Sequence, residues 1–180
     1  MDVERDIGTA TGTRGIEIAL PRLLDIVDAR DIRITLFVSA LILENPVHRD
    51  LIVEFMGKGH EIGSHGFEHS LLCSKSLEGQ RSDIRRATEM FQSYIGHRPV
   101  MFRSPNFGAN GDTIRALESE GYVLDSSVLP GRAPKRWKIF PVHYNFSKAP
   151  QEPYYPSHRD ISLPGTSSVL EVPVTPNPFK

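Results

Sequence analysis

Apolar, β-branched segments alternate with amphipathic segments along most of this chain of 180 residues. Strands are predicted at 32–38, 61–64, 100–103, 122–126 and 169–174. A strand that is repeatedly followed by a helix predicts a parallel sheet, because the helix returns the chain to the edge where the next strand begins. We therefore expect a single α/β domain over residues 1–180, with functional side chains at the C-terminal ends of the strands.

Four segments have the apolar spacing that is typical of helices. They are residues 15–30, 46–57, 77–95 and 111–120. Pro21 lies inside the first of them, so this helix is expected to begin late or to bend there. Residues 130–165 are rich in proline and lysine, and this composition predicts a long irregular region.

The overall composition excludes several classes of protein. The net charge of -1 gives no reason to expect a nucleic acid or an anionic membrane surface as the partner. Cys73 is the only cysteine, so an internal disulfide and a thiolate zinc cluster are excluded, and any metal must be bound by histidine and carboxylate. The sequence has no apolar run that would span a bilayer and no signal peptide at its start, which predicts a cytoplasmic protein. The sequence leaves the oligomeric state open.

Two histidines, His65 and His69, give the strongest signal for a site. They lie in the segment Ser64-His65-Gly66-Phe67-Glu68-His69, directly after the strand predicted at 61–64. Four residues apart on a helical turn, they would face the same side and share one metal. The alternative is a pair of surface histidines in a loop. The position after a strand favours the metal site.

Asp2 and Glu4 form the second candidate group. On a strand, residues two apart face the same side, so both carboxylates would point into one pocket while Val3 faces the core. The alternative is an acidic, frayed end of the chain. Two carboxylates together with two histidines would supply both a metal ligand and a base.

Arg103 and Asp125 each end a predicted strand. Arg103 precedes a rigid Ser104-Pro105 turn, and a guanidinium there is suited to orient a carboxylate, although a surface salt bridge is the alternative. Asp125 follows an apolar strand and is placed either for a site or to cap a turn.

These four segments, in this order, resemble the motifs of the NodB-homology polysaccharide deacetylases of carbohydrate esterase family 4, in the branch whose first motif is Asp-x-Glu. The resemblance covers residues 1–130, including the lead-in at 59–63 and the run at 125–130, and the later segments 153–157 and 170–174 are also similar to that branch. It implies a distorted, incomplete (β/α) barrel. It also implies a metal-dependent hydrolase that removes N-acetyl groups from a sugar or polysaccharide.

The resemblance also implies roles for the candidate residues. Asp2 would be the general base, Arg103 would orient it, and Asp125 would belong to the supporting network. The ligands of a divalent metal, usually zinc in this family, would be Glu4, His65 and His69. The partner would be an N-acetylated carbohydrate.

The chain departs from the family pattern at three places. Asp2-Val3-Glu4 replaces the usual adjacent aspartates, and Asn106 stands where an aromatic residue is common, with Phe107 one place later. The fifth motif supplies a histidine after a leucine near the C-terminus, which would protonate the leaving amine, and neither His143 nor His158 matches it.

A further expectation follows from this comparison with the family pattern. Met1 stands where the middle of the first strand is expected and the fifth motif is missing, so we expect a chain that is truncated at both ends.

Two other functions stay open. One is a metal-free hydrolase of a non-peptide C–N bond, as in allantoinase-like relatives of the same fold, and the other is an inactive carbohydrate-binding fragment. Metal analysis would distinguish the metal-free hydrolase from a metal-dependent deacetylase. Turnover of N-acetylated oligomers would distinguish the inactive fragment from an active enzyme.

Overall fold

The centre of the molecule is a parallel sheet of six strands, which lie in the sheet in the same order as in the chain. The computed structural model describes residues 1–6, 12–132 and 144–175. The strands are β1 Asp2–Val3, β2 Thr35–Val38, β3 Glu61–Ser64, β4 Met101–Phe102, β5 Leu124–Asp125 and β6 Leu170–Glu171. Within the described residues β1 and β6 do not pair with each other, so the sheet is an incomplete (β/α) barrel, as predicted.

The helices connect successive strands. They are α1 Leu20–Asp28, α2 Pro46–Gly57, α3 Leu77–Ile95 and α4 Gly111–Ser119, with short 3-10 segments at Ala40–Glu44, Leu72–Ser74 and Pro105–Phe107. A π-helical turn, Gly15–Ala19, precedes α1. Pro21 is the second residue of α1 and has no N–H to donate to the preceding turn, which accounts for the irregular start that the sequence predicted.

Side-chain caps explain where three of the helices begin. Asn45 accepts hydrogen bonds from the first turn of α2, Ser76 from that of α3, and Asn110 from that of α4. At its other end α3 stops at Gly96, which has a φ of 64° that glycine adopts without steric cost. These signals explain why the predicted limits of α2 and α3 are confirmed.

Contact between β2 and β3 depends on a glycine. Phe37 lies opposite Gly63 in the register of the two strands. A Cβ atom at Gly63 would lie 2.8 Å from Cδ1 of Phe37 and 2.9 Å from the carbonyl oxygen of Met101. The missing side chain therefore makes room for the Phe37 ring, which lies 4.3 Å from the Arg103 guanidinium.

Two apolar clusters stabilise the sheet. One packs α1, α2 and α3 against the first three strands, and the other packs α4 and part of residues 144–175 against β4 and the residues that flank β5 and β6. The described part of the predicted irregular region contains no helix or strand. An antiparallel bridge between Tyr154 and Glu171 joins it to β6, and a second one, between Pro156 and Pro164, lies within the region. In the described ranges, the helices lack the combination of length and apolarity that a membrane span requires.

Candidate metal centre

The C-terminal ends of β1 and β3 bring Glu4, His65 and His69 together. Each residue offers one ligand atom, and the three atoms all lie within 4.8 Å of one another. The Nε2 atom of His69 contacts Oε2 of Glu4, and Nε2 of His65 lies 3.8 Å from the same oxygen. The three residues that the sequence suggested as metal ligands thus share one small volume.

The segment that bears the histidines is an irregular loop, so the predicted helical turn is wrong. Gly66 has a φ of 76°, which breaks any helical path. The backbone after β2 anchors the loop instead, because the N–H groups of Ala40 and Leu41 donate to the carbonyls of Gly66 and Phe67 at 2.9 and 3.0 Å. The spacing of four residues still places both imidazoles on one side, but for a different backbone reason.

Phe67, between the two histidines, fixes the loop to the core. Its ring is buried, and the Arg86 guanidinium of α3 lies 3.7 Å from the ring centroid. Its carbonyl also accepts a hydrogen bond from the Ser39 hydroxyl. Both the side chain and the carbonyl group of Phe67 therefore fix the loop.

His65 has its ring orientation set by a backbone hydrogen bond. Its Nδ1–H donates to the carbonyl oxygen of Arg103 at 2.8 Å, which leaves the Nε2 lone pair facing Glu4 and His69. Burial lowers the pKa of His65 to about 4, so the imidazole is neutral near physiological pH. A neutral, oriented imidazole is the form that binds a metal ion.

Glu4 also fits a cation. Burial raises the pKa of Glu4, and the neighbouring His69 opposes that rise. Oε2 of Glu4 is buried and makes no hydrogen bond within the described part of the chain, where its contacts are the two Nε2 atoms. A divalent cation between these three atoms would satisfy all of them. Two histidines and one carboxylate form a ligand set that zinc hydrolases use, with one position left for water or substrate.

Asp2 and Arg103 form an ion pair beside these three residues. NH1 of Arg103 donates to Oδ1 of Asp2 at 2.9 Å. The same guanidinium donates through Nε to the carbonyl oxygen of Ser126 at 2.9 Å and through NH2 to its hydroxyl at 2.8 Å. Asp2 and Ser126 therefore fix the guanidinium of Arg103 at its edges, and the Phe37 ring packs against its face.

Asp125 lies behind Arg103 and is fully buried next to Glu171 of β6. Oδ1 of Asp125 accepts a hydrogen bond from the Ser127 hydroxyl at 2.6 Å. Burial raises the pKa of Asp125 to about 6 and the pKa of Glu171 well above its usual value. Glu171 was not among the site residues predicted from the sequence, although a lone acidic residue inside the apolar run Val169–Val174 was an available signal.

The other histidines contact different parts of the molecule. Outside the metal centre, each described histidine has its own partner. His48 and His158 contact glutamate carboxylates, and His60 and His97 contact backbone N–H and C=O groups. His143, the other histidine that was weighed against the fifth motif, lies outside the described residues.

Comparison of the sequence with protein-family models gives one match. Residues 11–124 match the model described as polysaccharide deacetylase. A peptidoglycan deacetylase-like protein of Gibberella zeae is 29% identical over 163 residues, which is 87% of this chain and 46% of the relative. A chitin deacetylase of Colletotrichum lindemuthianum is 29% identical over 112 residues, or 60% of this chain and 45% of the relative. The chain spans a little under half the length of these curated relatives.

Solved structures agree with this match. A putative polysaccharide deacetylase from Mycobacterium smegmatis superposes with a TM-score of 0.69 at 26% identity, over 89% of this chain and 47% of that chain. An allantoinase superposes with a TM-score of 0.62 at 23% identity, over 90% of this chain and 45% of that one. The chitin deacetylase structure from Colletotrichum lindemuthianum gives 0.57 at 24% identity, over 72% and 55%. The last two similarities are of fold alone.

Proposed function

Because the chain belongs to the polysaccharide deacetylase family, we propose that it is the catalytic domain, or part of one, of a metal-dependent hydrolase that removes N-acetyl groups from a carbohydrate. One observation carries the proposal. The ligand atoms of Glu4, His65 and His69 converge within 4.8 Å of one another, and an oriented carboxylate, Asp2, lies beside them. A metal ligand set next to a base is what activation of the attacking water requires.

The metal would be bound by the imidazole Nε2 atoms and by the Glu4 carboxylate. Nitrogen and oxygen ligands of this kind suit zinc, which we propose as the resident ion. When bound, such an ion lowers the pKa of a water molecule and polarises the carbonyl of the acetamido group.

The residues around this position have separable tasks. Asp2 accepts the proton of the attacking water, and the Arg103 guanidinium orients the Asp2 carboxylate. Burial and the hydrogen bond from Nδ1 to the Arg103 carbonyl oxygen keep Nε2 of His65 in place, and the buried Oε2 of Glu4 faces it. Phe107, whose ring centroid lies 5.8 Å from the Arg103 guanidinium, forms part of the wall beside the site.

The substrate class follows from the relatives. The curated relatives are named as chitin deacetylases or as peptidoglycan deacetylases and deacetylase-like proteins. Chitin and peptidoglycan share N-acetylglucosamine units, so we propose a polymer or oligomer that contains this sugar as the substrate.

Metal analysis tests the site directly. We expect the purified chain, after incubation with zinc and removal of free metal, to retain about one equivalent. The double variant His65→Ala with His69→Ala should retain almost none. A matched control removes two histidines elsewhere, His97→Ala with His158→Ala, and should retain the wild-type amount. Equal metal in both double variants would contradict the site.

Turnover tests the activity. Acetate release from N-acetylglucosamine oligomers should depend on added zinc and should disappear in the variant without the two ligand histidines. Metal binding without any acetate release, together with binding of the oligomers, would instead support a carbohydrate-binding fragment. Hydrolysis of a non-sugar C–N bond with no requirement for metal would support the allantoinase-like alternative.

A further inference from the structure

Two buried carboxyl groups face each other behind Arg103. Asp125 of β5 and Glu171 of β6 are paired in register, and both side chains are 0% exposed. Oδ2 of Asp125 and Oε2 of Glu171 meet no N–H or hydroxyl donor in the described part of the chain. The register places the two carboxyl groups side by side, close enough for one to hydrogen-bond to the other. Two carboxylates have no proton to share, so such a bond requires one of the pair to be protonated, and the burial of two adjacent carboxyl groups favours that state.

We propose that Glu171 is a positioning residue, whose protonated carboxyl group donates a hydrogen bond to Asp125. Through this bond the pair fixes the backbone that follows β5, and this backbone holds the Arg103 guanidinium against Asp2. The inference deepens the proposed function and rests on it, because Asp2 is the base of that reaction.

The surroundings place the proton on Glu171. The positive charge of Arg103 and the hydrogen bonds from Ser126 and Ser127 stabilise the ionised form of Asp125. Burial and the adjacent Asp125 charge raise the pKa of Glu171 well above its usual value. Asp125 is thus the better anion of the two and Glu171 the better acid.

A chain of short contacts connects the pair to the guanidinium. Oε1 of Glu171 accepts from the Val128 N–H at 2.9 Å, and Oδ1 of Asp125 accepts from the Ser127 hydroxyl at 2.6 Å. Both acids therefore bind the segment 126–128. The same segment presents the carbonyl and hydroxyl oxygens of Ser126 to Arg103. If the pair comes apart, the acceptors of Arg103 lose their support.

Tyr154 is the other titratable side chain beside the pair. Burial is the main cause that raises the pKa of Tyr154, and the neighbouring carboxyl groups add to the rise, so its hydroxyl stays protonated. Its hydroxyl donates to the carbonyl oxygen of Ile161 at 2.5 Å and so is not the donor to Asp125. Among the groups that act on the Asp125–Glu171 pair, Arg103 is the one that carries a positive charge.

Two substitutions of Glu171 separate its hydrogen bond from its bulk. Glu171→Gln keeps the shape, donates through its amide NH2 to Asp125, and accepts from the Val128 N–H through its amide oxygen. Glu171→Leu has a similar volume but neither donates nor accepts. Glu78→Gln, on the exposed face of α3, is the matched control for removal of a carboxyl group.

Two spectroscopic measurements test the proposal without any turnover. In infrared spectra near neutral pH, the carbonyl band of a protonated carboxylic acid should be present in the wild type and in Glu78→Gln, and lost in Glu171→Gln. In NMR spectra of isotope-labelled protein, the Arg103 Nε–H signal, assigned with Arg103→Lys, should be protected from exchange. That protection should survive in Glu171→Gln and disappear in Glu171→Leu.

Kinetics provide the third measurement. For zinc-loaded protein we expect Glu171→Leu to lower kcat for acetate release by roughly ten- to a hundredfold, with KM and metal content unchanged, because only the alignment of the base is lost. Glu171→Gln should restore most of the rate.

The outcomes are distinguishable. A wild-type chain that releases no acetate contradicts the proposed function, while the infrared and NMR results still decide on Glu171. An acid band that persists in Glu171→Gln overturns the proposal, and so does Arg103 protection that survives in Glu171→Leu. The infrared comparison holds even if Glu171→Leu fails to fold, because it needs only the isosteric variant.

Discussion

Asp2 in β1 and Glu4 just after it have different contacts, and this difference predicts different effects of mutation. Asp2 is paired with Arg103, whereas Glu4 contacts the two imidazoles. Asp2→Asn should retain the metal and lower the rate of acetate release by about 10²–10⁴-fold, because an amide does not accept the proton of water. Glu4→Gln should weaken metal binding, because a neutral amide oxygen is a poorer ligand than a carboxylate. Zinc titration and acetate release on the same preparations measure both effects.

Asp6→Asn is a suitable control, because this residue lies on the same segment and accepts hydrogen bonds from the backbone N–H groups of Arg14 and Gly15. It should leave zinc affinity and kcat close to the wild-type values. If Asp2→Asn released the metal while Glu4→Gln retained it, the two roles would have to be exchanged.

Glu171 should also control how stability depends on pH. Burial raises the pKa of Glu171 well above its usual value of 4.5, so above that pH the folded state binds more protons than the unfolded chain. The free energy of unfolding therefore falls as pH rises toward the folded-state pKa, by up to about 1.4 kcal/mol per pH unit. Glu171→Gln has no proton to lose and should gain stability relative to the wild type as the pH rises.

Urea unfolding at several values between about pH 5 and about pH 8 measures this difference. Other groups that titrate in this range, such as His65, are shared by both proteins, so most of their contribution cancels in the comparison. Glu78→Gln should show the same pH dependence as the wild type. A difference between Glu171→Gln and wild type that stays constant with pH would mean that Glu171 titrates normally.

At the residue scale, local spacing predicted which side chains would meet but not what surrounds them. Sheet geometry placed Asp2 and Glu4 together, and the position of Arg103 after β4 placed it near them. Glu171 was missed because its contact with Asp125 depends on the pairing of β5 with β6. The end of β5, Asp125, and the start of β6, Leu170, are 45 positions apart in the sequence. The helical turn at His65 was wrong because Gly66 takes a positive φ there, and the sequence alone leaves that choice open.

At the scale of elements, α4 is packed tightly at its first residue. A Cβ atom at Gly111 would lie 2.0 Å from the carbonyl oxygen of His158. Gly111→Ala should therefore push the segment around His158 away from α4 and lower the free energy of unfolding by about 3 kcal/mol, toward the upper end of overpacking costs. Denaturant unfolding measures the loss.

Gly57→Ala is the matched control. Gly57 is the last residue of α2, and a Cβ atom there would meet nothing within 4 Å. The same substitution should stabilise the protein by about 0.4–1 kcal/mol, because alanine has less conformational freedom in the unfolded chain. Equal effects at the two glycines would mean that α4 and the His158 segment do not touch as described.

The helices were predicted more accurately than the strands, for physical reasons. Helix limits depend on local caps, such as Ser76 and Gly96 at the two ends of α3, which are visible in the sequence. Strand limits depend on neighbouring strands. Apart from β3, which matches its predicted range 61–64, the ladders are shorter than the predicted apolar runs. The run at 122–126 contributes only Leu124–Asp125 to β5, although Tyr122 and Ser126 are buried. Burial continues beyond the hydrogen-bonded ladder, so apolarity overestimates strand length.

At the scale of the whole molecule, the curved sheet surrounds an open cavity of about 510 Å³ beneath the candidate site. Its lining is largely apolar and includes Phe37, Met101 and Leu124, and the Arg103 side chain reaches it from above. Arg103 and Ser126, which hydrogen-bond to each other, both line this cavity, so the guanidinium that orients Asp2 borders it.

The supply of a proton to the leaving group is a separate question. An amine leaves an acetamide only when its nitrogen is protonated, and a positioned acid typically contributes about 10²–10⁴-fold. The four histidines that the structure describes outside the metal centre are engaged elsewhere: His48 with Glu17, His60 with the Ile34 N–H, His97 with the Ile62 carbonyl, and His158 with Glu118. None of those contacts is with a residue of the metal centre.

The leaving group should therefore decide how fast this chain works. The leaving group of an aryl acetate ester departs as an anion. Hydrolysis of such an ester therefore needs a nucleophilic water and a base but no acid. We expect the zinc-loaded chain to hydrolyse the ester readily and N-acetylglucosamine oligomers slower by at least about 10²-fold. Rates of both reactions, each corrected for the variant His65→Ala with His69→Ala, measure the ratio. Rapid hydrolysis of the oligomers would contradict the prediction. If His143→Ala then abolished that rate without affecting ester hydrolysis, His143 would be the acid, because only the amide reaction requires one.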